Sequence, residues 1–117
     1  MNRALLLSLA CAVILVAFIA SPSRSADKPP AAAVSIVNFS FDPKALEVKT
    51  GTVVTWTNTQ DGAHEIRSGT PDAPKDGPIK GSLGKKGSTF SITFDKPGEY
   101  PYFCDFHHRM VGKIVVK

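Results

Sequence analysis

The sequence predicts an all-β fold, a sandwich or barrel of short strands. Three observations lead there. Apolar residues recur at every second position through most of the chain, the period of a strand with one buried face. Turn dipeptides punctuate these runs: Asp42-Pro43, Thr50-Gly51, Asp61-Gly62 and Pro97-Gly98. No window holds apolar residues at helical spacing over enough length to form an amphipathic helix.

Taken in order, the first run is Val34 and Ile36, alternating with polar neighbours. Leu46 and Val48 alternate with Glu47 and Lys49. Val54, Trp56 and Asn58 share one strand face, with Thr55 and Thr57 on the other. Phe90, Ile92 and Phe94 alternate with Ser91 and Thr93. Tyr100, Tyr102 and Cys104 form one face of the next run, and Ile114 and Val116 close the chain. Only Ser68 to Lys86 lacks the pattern. It is rich in Gly, Pro, Lys and Asp, and reads as a long loop with a short or irregular strand.

The N-terminus reads as a targeting segment. Arg3 precedes an apolar run from Leu5 to Ala20, and small residues suited to cleavage follow through Ser25. The run is short for a membrane span. Residues 1–25 are therefore expected to be a secretory signal, cut after Ser23 or Ser25, with an uncleaved anchor as the alternative. Residues 26–33, with Pro29-Pro30, read as a flexible leader, and 34–117 as the folded domain.

About 90 residues remain after cleavage, a size at which a disulfide or a metal often supplements the core. Cysteine usage separates the two. Cys11 leaves with the signal, so the exported chain keeps Cys104 alone, which cannot close an internal disulfide. Net charge is +4 for the whole chain. The lysines are scattered, and no basic stripe with exposed aromatics suggests nucleic acid.

The chemistry sits in Cys104-Asp105-Phe106-His107-His108-Arg109-Met110. Cys104 ends a strand, and His107 and Met110 lie on the loop after it. His64 follows Asp61-Gly62-Ala63 in a second turn. Singly, each has a bland reading: a buried Cys or Met is usually core, and a turn His is usually solvated. Jointly they offer two imidazoles, a thiolate and a thioether, the donor set of a mononuclear copper site that passes single electrons. A Met ligand argues against zinc. Copper handling, as a chaperone or store, would use the same ligands but favours Met-rich or His-rich tracts, which are missing. A Cys104 nucleophile with His107 or His108 as base lacks an orienting group and an oxyanion hole.

The pattern resembles the cupredoxin family. The matching pieces are Val53-Val54-Thr55-Trp56-Thr57-Asn58 with His64, Phe90-Ser91-Ile92-Thr93-Phe94, Pro97-Gly98-Glu99-Tyr100-Pro101-Tyr102-Phe103-Cys104 and Met110-Val111-Gly112-Lys113-Ile114-Val115-Val116. The short Cys-x-x-His-x-x-Met loop is most similar to amicyanin, with plastocyanin and pseudoazurin next. The resemblance implies an eight-stranded Greek-key β-sandwich holding one type 1 copper. It implies His64 Nδ1, Cys104 Sγ and His107 Nδ1 in a trigonal plane, with Met110 Sδ axial. Asn58 is implied to pin the two ligand loops together and to donate its backbone N–H to the Cys104 sulfur. The implied function is a monomeric, exported, periplasmic electron carrier rather than an enzyme. It would exchange electrons with redox partner proteins, a dehydrogenase donor and a c-type cytochrome acceptor, with no small-molecule substrate.

Two residues depart from the family. Glu65 follows the first His where Asn is usual, and is expected to face solvent because strand neighbours alternate. Phe106 replaces the Pro that precedes the ligand His. Unlike Pro it keeps an N–H, which is expected to donate a second hydrogen bond to Cys104 Sγ and raise the reduction potential. His108 is expected at the surface.

Overall fold

The computed structural model describes residues 28–117 and the single position 17. The expected signal segment 1–25 otherwise lies outside the described residues. Ten strands follow in order: β1 (Ala31–Val37), β2 (Ser40–Asp42), β3 (Ala45–Val48), β4 (Thr52–Asn58), β5 (His64–Thr70), β6 (Ala73–Pro74), β7 (Lys80–Leu83), β8 (Thr89–Phe94), β9 (Gly98–Cys104) and β10 (Val111–Val116). Eight of them have four residues or more and make up the expected all-β sandwich; β2 and β6, with three and two residues, are additional short ribbons.

The strands form two mixed sheets, β2-β1-β4-β8 and β3-β10-β9-β5-β6, with β7 also paired to β5. β1 runs parallel to β4, and β3 parallel to β10. Parallel neighbours cannot be joined by a tight hairpin. The chain therefore passes to the other sheet between them, which ties the two layers together.

Period two in the sequence becomes alternate burial. Along β4, Thr52, Val54, Trp56 and Asn58 are buried and the residues between them half-buried. The interior is filled by Val34, Ile36, Phe41, Trp56 and Phe94 from one sheet and Ile66, Leu83, Tyr102, Ile114 and Val116 from the other. Trp56 stacks on Phe90 at 4.8 Å and meets the edge of Tyr102 at 5.4 Å. Truncating a ring so enclosed costs about 3–5 kcal/mol. Gly112 sits directly opposite Tyr102 on the neighbouring strand. A Cβ there would overlap the Tyr102 ring, so only glycine lets this ring lie against the strand.

Three features differ from the sequence reading. β1 begins at Ala31, inside the expected leader, and Ala31–Ala33 pair with Val53–Thr55. Backbone ladders need no side-chain alternation, so a run of alanines gave no signal. The stretch from Ser68 to Lys86 holds more strand than expected. β5 continues to Thr70, and β7 buries Leu83 just after the buried Ile79. Ser68 occupies an inward position, where its hydroxyl accepts from Ile79 N–H at 2.9 Å, and a polar residue there hid the period.

The third is the β1–β2 hairpin. Val37 pairs with Ser40, leaving Asn38 and Phe39 as a two-residue turn. Both have positive φ, 50° and 54°. Two-residue hairpins of this hand favour Asn then Gly. Asn38 suits its position, whereas Phe39 stands where glycine is usual, at a cost of roughly 1–2 kcal/mol.

Candidate metal centre

His64 is the first residue of β5 and fully buried, not a solvated turn residue. Asn58 builds the connection leading to it. Its Oδ1 accepts from Gln60 N–H at 3.1 Å, and its Nδ2 donates to Gly62 O at 2.8 Å and Leu83 O at 3.4 Å. Gly62 takes φ 104°, open to glycine at no cost. The expected role of Asn58 is corrected by these bonds. Its backbone N–H donates to Ser88 O at 2.9 Å, not to the Cys104 sulfur. Its side chain joins the His64 turn to β7, not to the second ligand loop, because Gly62 O and Leu83 O are the acceptors within its reach.

The second loop is closed by the backbone. Cys104, the last residue of β9, donates its N–H to Met110 O at 3.0 Å, and Met110 N–H donates to His107 O at 2.9 Å. Asp105 N–H donates to Glu65 O at 2.7 Å, which straps this loop to β5. The register Ile66↔Cys104 between β5 and β9 then sets the two connections side by side. An Arg67–Asp105 ion pair at 3.5 Å spans the same strands, but it is exposed and contributes little.

These supports bring three donors together. Cys104 Sγ lies 3.6 Å from His64 Nδ1 and 3.7 Å from His107 Nδ1. The donor atoms of the three residues all fall within 4.8 Å of one another. The spacing can be tested against a shared ion. Bonds of about 2.0 Å to nitrogen and 2.3 Å to sulfur, opened to a trigonal angle, place S and N about 3.7 Å apart. The observed separations fit. Met110, 2% exposed, lies buried at the end of the same loop. Burial, and then the charge of nearby His107, push His64 below the usual imidazole value, which favours the neutral form that binds a metal.

The side chains of both departures lie outside the cluster of three donors. Glu65 alternates away from His64 and lines an outer groove with Arg67, Lys75 and Asp105. Phe106 is 60% exposed on the turn between Cys104 and His107. His108 is exposed and rests edge-on against Phe103 at 6.0 Å, away from the three donors.

One residue that the sequence reading overlooked belongs to this centre. Phe39 meets the His107 ring at 5.0 Å and the His64 ring at 6.0 Å, edge-on to both. The two imidazoles are themselves 5.2 Å apart. The only sequence signal was an Asn-x pair between two short runs, which marks a turn and says nothing of what the turn touches.

A profile described as a cupredoxin-like domain matches residues 9–116. The chain belongs to the cupredoxin family. Among the relatives of this cupredoxin, amicyanin-alpha of Methylorubrum extorquens is 35% identical over 120 residues, covering 94% of this chain and 98% of that one. The purple cupredoxin of Nitrosopumilus maritimus superposes with a TM-score of 0.66 at 30% identity, over 74% of this chain and 99% of that chain. An amicyanin methionine-to-alanine variant, solved in its Cu(I) form, superposes with a TM-score of 0.66 at 32% identity, over 77% and 85%.

Proposed function

We propose that this cupredoxin is an exported type 1 copper protein that carries single electrons between redox partners, with His64, Cys104, His107 and Met110 as ligands. The observation that carries the reading is the pair of Cys104 Sγ to imidazole Nδ1 separations, 3.6 and 3.7 Å, beside a buried Met110. The relatives are of one kind: amicyanin, plastocyanin and halocyanin are electron-transfer cupredoxins rather than enzymes.

Copper is the cofactor, and it supplies one-electron oxidation and reduction. The chain's own residues do the rest. β5 and β9 fix His64 and Cys104 at rigid strand ends, so the donors need not rearrange when charge changes. Burial of His64, Cys104 and Met110 keeps water from the donor atoms. His107 is only half-buried, and its ring lies beside exposed Phe39, with exposed Phe106 next to it in the chain. That edge is the shortest way from the donors to a docked protein.

Redox proteins are the partners. A dehydrogenase donor and a c-type cytochrome acceptor are the finer reading, supported by the amicyanin-like Cys-x-x-His-x-x-Met loop. Export to the periplasm rests on residues 1–25 as a secretory signal, with 26–30 as leader and the folded domain from Ala31.

The visible spectrum of the mature chain loaded with Cu(II) tests the reading. The expected result is an intense blue charge-transfer band, bleached by ascorbate and restored by an oxidant. A colourless or weakly green protein would show that Cys104 does not bind copper in a type 1 geometry.

A further inference from the structure

Phe39 is anomalous on three independent counts. It is an aromatic residue with φ 54°, in a turn position where glycine costs nothing. It is 55% exposed, so core packing does not account for it. Its ring nonetheless lies edge-on to both imidazoles, at 5.0 Å from His107 and 6.0 Å from His64. Its backbone is held in place from outside the hairpin, because Phe39 N–H donates to Gln60 Oε1 at 2.8 Å. Gln60 belongs to the same turn that Asn58 organises ahead of His64. A strained residue persists where the surroundings fix it and something is gained.

We infer that Phe39 is a positioning residue of the copper centre: the β1–β2 turn presents its ring as an apolar cover over the two imidazoles, excluding water from the metal and restraining His107. This rests on the copper reading above. The physical consequence follows from charge. With a thiolate and three neutral donors, the Cu(II) site carries one more positive charge than the Cu(I) site. Water near the metal stabilises the more highly charged state, so an apolar cover raises the reduction potential. The same cover slows exchange of His107 for water, and so slows release of the metal.

Two substitutions separate cover from fold. Phe39→Gly removes the ring and relieves the backbone, so the copper-free variant should melt at or above the wild-type temperature. Phe39→Ala removes the ring and keeps the strained φ, so the copper-free variant should melt below Phe39→Gly. Loaded with copper, both should show a lower potential by voltammetry and a several-fold faster loss of Cu(I) to a chelator.

A wild-type potential and release rate in either variant would overturn the inference. So would a copper-free Phe39→Gly that melts well below wild type, since the ring would then serve the fold rather than the metal. Wild-type protein is the control in the same series. A blue, reversible wild type with unaltered variants sinks only the role of Phe39, whereas a wild type that takes no copper sinks the copper reading as well.

Discussion

At the scale of single residues, the centre depends on side chains that never approach the metal. Asn58 is fully buried and uses its amide on both sides, accepting from Gln60 and donating to Gly62 and Leu83. In sequence it is an asparagine at the end of a run, and the family resemblance marked it as important while assigning it the wrong partners. The reason is physical: an amide can satisfy several loops, and only coordinates show which carbonyls lie within about 3 Å. Asn58→Ala would leave the Gly62 and Leu83 carbonyls without this donor and release the turn that delivers His64. The expected loss is about 2–4 kcal/mol in urea unfolding of the copper-free protein. A loss below about 1 kcal/mol would mean that backbone bonds alone hold the turn. Phe39 teaches the complementary lesson. Its importance lies in a contact across the fold, and nothing in the local sequence pointed to it.

Elements carry the next level. Alternation made β4, β8 and β9 legible, because each has a buried face of large residues: Val54 and Trp56, Phe94, Tyr102 and Cys104. β5 was not legible as a strand of seven residues, since its inward positions are His64, Ile66 and Ser68, two of them polar. The loop from Cys104 to Met110 brings the Cys104 sulfur to 3.7 Å from His107 Nδ1 and buries Met110, although its closure by backbone bonds could not be seen in sequence. Those bonds bear on Phe106. The N–H groups of Cys104, Asp105 and Met110 are each committed to a carbonyl, whereas among the described residues the Phe106 N–H has no carbonyl partner. The same holds for His107, His108 and Arg109, and of these four Phe106 stands nearest to Cys104 in the chain, which makes its N–H the candidate donor to the thiolate. A hydrogen bond there would draw electron density from the sulfur and favour Cu(I). Phe106→Pro removes this donor and leaves the ligands in place, so voltammetry should show a lower potential. A potential equal to or above wild type would exclude the hydrogen bond as a determinant.

At the scale of the whole molecule, two buried titratable groups among the described residues, His64 and Tyr102, make the stability of the copper-free fold depend on pH. The donor end holds His64, and the aromatic core holds Tyr102. Neither effect was legible in sequence, because both depend on which strand pairs with which. His64 lies below the usual imidazole value of 6.5, through burial first and His107 second. The unfolded chain therefore takes up a proton that the folded chain refuses, and stability should fall as pH drops below about 6.5. Tyr102 behaves oppositely. Burial raises it from 10.0 to about 12, outweighing the nearby Trp56 indole. Its hydroxyl is buried without a hydrogen-bond partner of good geometry, so the phenolate is costly in the fold. The unfolded chain ionises first, and this contribution, fully present below pH 10, is lost as pH rises toward 12. The full gap corresponds to about 2–3 kcal/mol. Tyr102→Phe isolates the alkaline limb. An unpartnered hydroxyl contributes little, so the variant should match wild type to within about 1 kcal/mol at neutral pH. Above pH 10 the wild type should lose more stability than the variant, by an amount approaching the full gap at the highest pH. Urea unfolding of both copper-free proteins, at neutral pH and at steps above pH 10, decides the matter. Parallel alkaline losses in the two proteins would show that Tyr102 ionises as readily in the fold as outside it, and that the aromatic core does not seal it from water.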